Sequence, residues 1–392
     1  MSKIILLIAA VIALLMLPSI FTKRNIPHYS DNQLRQIALS RGMKPIPKNY
    51  SEYLQVIDNS QNQPTKEKII LGKELFFDKN LSKNRDVSCA TCHMLSKSRN
   101  KHILLHSLEN STTLTNCASC HIKDESGTDR LSSAVGTGNV QNPLHLNTMT
   151  ILNSSLAKYL TWDGTVHSVE EEAGNSLQSK YKMNMTPKAL EKRISSSTQY
   201  VKKFNLAFEN NSTLKQNNVS FKNMQLALGT YVRTLLTRGP YDRFLEGDNN
   251  AISKKAKRGF SDFIALGCKG CHTGMSVGGQ VIERFPLKAY VNVNDIDFNF
   301  PLMLSDNSFP FKNTGGFLGK DNKHYFRVPI LRNVTKTSPY FHNGSVAKIE
   351  DAVRIMGHNQ IGVNLTDTEV EDIVAFLKTL EGNVVVYTKD SK

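Results

Sequence analysis

The distribution of apolar and polar positions divides the chain into stretches of very different character. Ile4 to Phe21, IILLIAAVIALLMLPSIF, carries no charge over 18 positions; as a helix rising about 1.5 Å per residue it would extend about 27 Å, just enough to cross a bilayer. Residues 26–66 are polar, with DNSQNQP at 58–64 reading as a linker or surface loop, and Asn-rich ENNSTLKQNNVS at 209–220 reads as a second loop. MQLALGTYVRTLLTR at 224–238 sets Leu228, Val232, Leu235 and Leu236 on one face and runs into Gly239-Pro240, which predicts a helix and its end. Near the C-terminus Thr366 offers an N-cap with Glu369 behind it, then apolar Val370, Ile373, Val374, Leu377 and Leu380, then Gly382. That is a capped amphipathic helix. No sustained alternation of apolar and polar residues appears, so the fold class is mainly α with long loops.

With 392 residues and 40% apolar content the chain is long enough for two domains with separate cores. The apolar N-terminal run is preceded by Lys3, as in a cleaved signal peptide. However, no Ala-x-Ala-like site follows it and the chain continues TKRNIPHY, so an uncleaved anchor is the preferred expectation. Under both readings the residues beyond it are exported. The formal charge of +15 suits steering of an acidic redox partner or proximity to anionic lipid, or is simply a solubilising surface. No nucleic-acid partner is expected.

All six cysteines fall in C-x-x-C-H: Cys89, Cys92 and His93; Cys117, Cys120 and His121; Cys268, Cys271 and His272. Disulfide scaffolds are small and cysteine-dense, which this chain is not, and paired C-x-x-C zinc sites leave the three histidines unexplained. Covalent haem c explains them, because two thiols take the two vinyl groups and the adjacent His ligates iron. Three haems are expected, and the function is redox chemistry. Two haem-centred domains, each with its own motif, fit the length.

Beyond the cysteines, LGKELFFDKNLSKNRDVSCATCH (71–93), WDGTVHSVEEEA (162–173), RGFSDFIALGCKGCHTG (258–274), FRVPILRNVTKTSPYFHNGSV (326–346) and AVRIMGHNQIGVNLTDTEVEDIVAFLKTLEG (352–382) resemble the bacterial dihaem cytochrome c peroxidases and their MauG-like relatives. The resemblance runs over most of residues 67–382. It implies two cytochrome c-like domains, with electrons accepted at a C-terminal high-potential haem and hydrogen peroxide reduced to water at an N-terminal one. It assigns Cys268, Cys271 and His272 to the electron-accepting haem, with Met356 as its sixth ligand where the MauG-like branch has Tyr. It makes Trp162, the only tryptophan, the aromatic residue between the haems. It also implies a calcium ion held by Asn147 and by main-chain carbonyls around Thr337 and Pro339, a donor set that suits a hard cation. His342 is expected near the C-terminal haem and its propionates.

Three departures from the family pattern bear on the chemistry. The residues before Cys89 match the run into the family's N-terminal haem, whereas the residues after His121 match the run out of it. An insertion carrying the third haem therefore lies inside one landmark, and either His93 or His121 is the proximal ligand of the peroxidatic haem. The loop at 132–147, where the family's resting enzyme supplies a distal His, has Thr137 or Asn139 at that position, so the iron is open or another His closes it; His102, His106 and His145 are the candidates. Splitting the O–O bond needs a group that takes a proton from the near oxygen and delivers it to the far one, a task the family gives to a Glu beside a Gln. Counting from Trp162, these positions hold Lys182 and Glu172. Either a buried Lys182 with a depressed pKa or Glu172 itself moves the proton, or the two form an ion pair in a poor peroxidase.

The expected organisation is therefore an anchor or signal sequence at 1–25, a polar linker at 26–66, an N-terminal peroxidatic domain with an inserted haem motif at 67–220, and a C-terminal electron-accepting domain at 221–392. The expected protein is a periplasmic peroxidase tethered to the inner membrane, drawing electrons from a small cytochrome c or a membrane quinol, with a homodimer among its expected assemblies. The rival readings are a multihaem electron-transfer protein of the same fold without turnover and a MauG-like oxidase.

Overall fold

A computed structural model describes residues 26–95, 126–208, 217–287 and 309–385. The apolar N-terminal run, the motif of Cys117, Cys120 and His121, and His102 and His106 lie outside the described residues.

In chain order the helices are α1 (Asp31–Ser40), α2 (Tyr50–Ile57), α3 (Lys66–Phe77), the single turn α4 (Cys89–Cys92), α5 (Val169–Gln178), α6 (Pro187–Ser195), α7 (Thr198–Ala207), α8 (Phe221–Arg233), α9 (Pro240–Leu245), α10 (Lys254–Ala265), α11 (Ile349–Met356) and α12 (Asp367–Thr379). Three two-stranded antiparallel ladders join them: β1 (Val135–Gly136) with β2 (Val140–Gln141), β3 (Thr237–Arg238) with β6 (Asn383–Val384), and β4 (Ile282–Arg284) with β5 (Tyr325–Arg327). The chain is mainly helical, as the lack of period-2 patterning predicts. Among the described residues no helix is long and apolar enough to cross a membrane.

Among the described residues, each of the two C-x-x-C-H motifs follows a helix that crosses a later helix at a glycine. A Cβ on Gly72 of α3 would lie 1.9 Å from the Ala227 carbonyl of α8, and one on Gly259 of α10 would lie 1.7 Å from the Asp372 carbonyl of α12. Only glycine lets these backbones approach so closely. The α3–α8 crossing organises one core (Leu71, Leu75, Phe76, Met224, Leu228, Tyr231) and the α10–α12 crossing another (Phe260, Phe263, Ile264, Ile373, Phe376, Leu377).

The capping box of Thr366 and Glu369 is present, and α12 turns Val370, Ile373, Val374 and Leu377 inward. Two expectations need correction. The predicted helix over 224–238 starts earlier, capped by Ser220, and ends at Arg233. Beyond it the backbone is claimed by tertiary partners: Asn153 N donates to Leu235 O, and Thr237–Arg238 pairs with β6. Because α8 packs into the N-terminal core, residues 221–233 belong with that core and not with the C-terminal one. Residues 26–66 are not a linker either. Leu34 and Ala38 of α1 join the C-terminal core, while Tyr53 and Ile57 of α2 pack with Ile46 and Leu236. The apolar residues here are few, but their i, i+4 spacing gives each short helix one buried edge.

A backbone repeat relates the two halves. Asn153 and Asn333 both adopt the left-handed conformation at φ 60° and each opens a short 3₁₀ turn. Bridges Leu160–Val166 and Tyr340–Val346 follow, and then α5 and α11 begin at Val169 and Ile349. Every one of these landmarks recurs 180 positions on, as 333 minus 153.

Candidate haem sites

At the C-terminal site α10 delivers the chain to Cys268, and one tight turn brings His272 back so that its N–H donates to the Cys268 carbonyl at 3.1 Å. His272 Nδ1 lies 3.4 Å from the Val277 carbonyl, which orients the imidazole and leaves Nε2 as the ligand atom. Burial lowers its pKa to about 4, so it is neutral at physiological pH. Burial pushes the Cys268 thiol up to about 12, making it a poor nucleophile as a free thiol. Cys268, Cys271, His272 and Met356, the last residue of α11, all line one large, mainly apolar cavity together with Trp162 and Arg327. Two thiols, an imidazole and a thioether around an apolar slot are the donor set that haem c requires, so the residues fit the group.

The N-terminal site repeats the local geometry. His93 N–H donates to the Cys89 carbonyl at 2.8 Å, and His93 Nδ1 lies 3.1 Å from the Gly127 carbonyl. Burial holds the His93 pKa below its ordinary value, and the charges of Lys182, Asp129 and Glu172 all reach the imidazole. Lys182 is also felt by both thiols, Cys89 and Cys92. Of the two N-terminal motifs, the described one therefore has the expected acid–base pair beside it.

That pair is an ion pair. Lys182 Nζ donates to Glu172 Oε1 at 2.7 Å and to Ser176 Oγ at 3.1 Å, and Ser176 Oγ donates to the same Glu172 oxygen at 3.0 Å. The Lys182 side chain is 48% exposed, so the alternative of a buried lysine is not what the fold provides. Sequence reasoning missed Ser176. On the backbone repeat it stands where Met356 stands in the other half, so the N-terminal site has a hydroxyl where the C-terminal one has a thioether.

The loop expected to carry a distal ligand is tied down. Thr137 Oγ1 donates to Asp86 Oδ1 at 2.5 Å, Gly138 N donates to Asp86 Oδ2 at 2.7 Å, and Thr137 N donates to the Lys182 carbonyl at 2.8 Å. Thr137 is thus buried in backbone contacts and Asn139 is exposed. His145 packs beside the Gly315 turn. The hydrogen bonds from Thr137 and Gly138 hold the Asp86 carboxyl down at about 2. Asp86, also missed from the sequence, is what fixes this loop.

On the wall of the C-terminal cavity, Trp162 Nε1 donates to the Asn147 carbonyl at 2.9 Å, and its ring meets His342 edge-on at 6.4 Å. Asn147 N donates to His342 O at 2.8 Å, and Arg327 N donates to Trp162 O at 2.9 Å. These two bonds exchange under the repeat, since 147 maps to 327 and 162 to 342. The expected calcium ligands also converge, with Asn147 Nδ2 donating to the Pro339 carbonyl at 2.7 Å and Thr337 lining the same cavity. The amide nitrogen faces that carbonyl, so an ion between them requires the amide to turn. Among the described residues no cluster of three or more His, Cys, Asp or Glu could hold a metal ion.

Comparison with known proteins agrees with this geometry. The family model described as di-haem cytochrome c peroxidase matches residues 66–115 and 106–250. The cytochrome c551 peroxidase of Pseudomonas aeruginosa is 33% identical over 341 residues, covering 86% of this chain and 84% of the relative. The cytochrome c551 peroxidase of Nitrosomonas europaea is 32% identical over 315 residues, covering 80% and 79%. The methylamine utilization protein MauG of Methylorubrum extorquens is 28% identical over 342 residues, covering 83% and 82%. Among solved structures, a MauG-like protein associated with microbial copper homeostasis shares the fold with a TM-score of 0.62 at 23% identity, covering 85% of this chain and 96% of that one.

Proposed function

The chain belongs to the di-haem cytochrome c peroxidase family, whose activity on hydrogen peroxide it shares, and we propose that peroxide is reduced at the His93 site with electrons that arrive through the His272 site. The observation that carries this division is the Lys182–Glu172–Ser176 cluster within electrostatic reach of His93, opposed in the other half by Met356. A haem closed by a thioether suits electron acceptance, and one faced by a hydroxyl, a carboxylate and an ammonium suits peroxide.

Bound haem c supplies the redox equivalents and the iron on which peroxide binds. The chain supplies the proton handling. Glu172 Oε1 is the base that accepts the proton of the near peroxide oxygen and returns it to the far one, and Lys182 Nζ donates to the charge that develops as the O–O bond breaks. Their ion pair holds the ammonium and the carboxylate 2.7 Å apart. Trp162, held by Asn147 and by the Arg327 amide, stands on the electron route.

Met356, where the MauG-like branch carries Tyr, favours a peroxidase over an oxidase of a partner protein. Further parts of this reading are a third haem at Cys117, Cys120 and His121, which would take electrons from a small cytochrome c or a quinol; a periplasmic location with residues 1–25 as tether; and calcium between Asn147 and the carbonyls of Thr337 and Pro339. A site of neutral oxygens alone would hold calcium weakly. Haem-peptide mass mapping counts the haems. The division of labour is tested by replacing Cys89 and Cys92 with Ser: peroxide consumption stops while the haem at Cys268 and Cys271 still takes up electrons. Continued consumption would move the peroxidatic site to His121.

A further inference from the structure

The cavity of the C-terminal site contains a cation whose charge nothing in the described protein balances. Arg327, the last residue of β5, is 4% exposed and lines that cavity. Its Nε has no hydrogen-bond partner, and its Nη2 reaches only the thioether of Met149, at 2.7 Å. It makes no ion pair among the described residues. Arg332, five positions on, shows the usual solution for a buried guanidinium in this fold, a carboxylate from Asp242 at 2.9 Å. An unpaired buried charge costs several kcal/mol, roughly, and persists in a fold where a bound group supplies its counter-ion.

We propose that Arg327 is the carboxylate-binding residue of the C-terminal haem, its guanidinium pairing with a propionate of the haem held by Cys268, Cys271 and His272, and its charge raising that haem's reduction potential. The inference rests on the reading that haem c is attached at this pair. Haem c carries its negative charge on two propionates, at the edge of the ring remote from the thioether bonds. Arginine matches a carboxylate with two parallel N–H donors, and the Nε and Nη2 edge of Arg327 is free of any oxygen acceptor. A fixed cation in a cavity of low dielectric favours the reduced, less positive state of the iron. The placement also ties the haem edge to the electron route, because the Arg327 amide donates to the Trp162 carbonyl, and β5 is itself anchored by the ladder to Ile282 of β4. Sequence alone offers no sign of this role: Arg327 ends a three-residue strand after Tyr325 and Phe326, and only its burial without an acid distinguishes it.

The test uses the full haem-loaded protein, comparing Arg327→Gln and Arg327→Lys with the wild type. Haem-peptide mapping first establishes that Cys268 and Cys271 carry haem, and spectroelectrochemical titration then reads the potential of the Met-ligated haem. In Arg327→Gln the equilibrium shifts at least tenfold toward the ferric form, about 59 mV for a one-electron couple, while Arg327→Lys stays within threefold of the wild type. Loss of that haem from Arg327→Gln alone, with Arg327→Lys loaded at wild-type potential, supports the same assignment. A loaded Arg327→Gln protein with an unchanged potential, an equal shift in Arg327→Lys, or haem loss from both variants overturns it. A wild-type protein without haem on this pair overturns the haem reading as well.

Discussion

Trp162 and His342 occupy matching positions of the two halves and meet edge-on, with ring centroids 6.4 Å apart and planes at 74°. Each is held by the other half's equivalent residue, since Arg327 N–H donates to the Trp162 carbonyl and Asn147 N–H to that of His342. The junction is therefore a reciprocal clasp. The same repeat gives Ser176 of α5 the place that Met356 has in α11, so one half presents a hydroxyl where the other presents a thioether.

If Glu172 moves the proton, Glu172→Gln keeps the shape and the Lys182 contact but loses the base. kcat/KM for peroxide is expected to fall by about 10²–10⁴ with haem content and both reduction potentials unchanged. Lys182→Met is expected to slow turnover as well, since the donor to the departing oxygen is gone. Steady-state rates with a reduced cytochrome c donor check both, and wild-type rates in Glu172→Gln would remove it from the chemistry.

The haem motifs and the C-terminal helix were legible in the sequence because their signals are local: C-x-x-C-H closes within one turn, and Thr366 and Glu369 cap within three residues. Counting from Trp162 also reached Glu172 and Lys182, which the fold brings together as an ion pair near His93. What was hidden is what depends on distant backbone. The helix expected to end at Gly239 stops at Arg233, since the residues after it bond to Asn153 and β6. The segment at 26–66 looked polar because α1 and α2 each bury only one narrow edge. Ser176, Asp86 and Arg327 had no motif around them, and only the fold shows that one replaces Met356, one fixes the Thr137 loop and one is a buried cation without an acid.

Met356→Leu removes the thioether from the C-terminal cavity. The reduction potential of that haem is expected to drop, because a Met ligand holds it up. Donor-dependent turnover should fall while a single turnover by pre-reduced protein persists. Spectroelectrochemistry and rapid mixing separate the two, and an unchanged potential would place the sixth ligand elsewhere.

Arg332 and Asp242 form an ion pair with both side chains fully buried; the guanidinium also donates to the Met275 carbonyl, and the carboxylate accepts from the Ile46 and Gly239 amides. Asp242→Ala leaves the arginine buried and unpaired and is expected to cost about 3–5 kcal/mol. Denaturant unfolding of the haem-loaded protein measures this; a loss below about 1 kcal/mol would mean that the pair is dispensable.

Asp262 on α10 has its pKa raised to about 7 by burial first and then by the carboxylates of Asp372 and Glu369. An unfolded aspartate titrates near about 3.9, so between these values the folded chain holds a proton that the unfolded chain has released. Stability from this group is full below that lower value, declines as pH rises, and is gone above about 7. Asp262→Asn lacks this dependence. Its melting temperature is expected to gain on the wild type from pH 5 to pH 8, and parallel curves would refute the assignment.

The most direct test of the central claim, that the His93 site presents Glu172, Lys182 and Ser176 with no ligand from the Thr137 loop, is peroxide consumption with a reduced cytochrome c as electron donor, started from the fully oxidised haem-loaded protein and repeated after its partial reduction. Turnover from the oxidised state without a reductive lag is the predicted result. Turnover only after reduction would mean that a side chain closes that iron at rest, contradicting an open site in this half of the molecule.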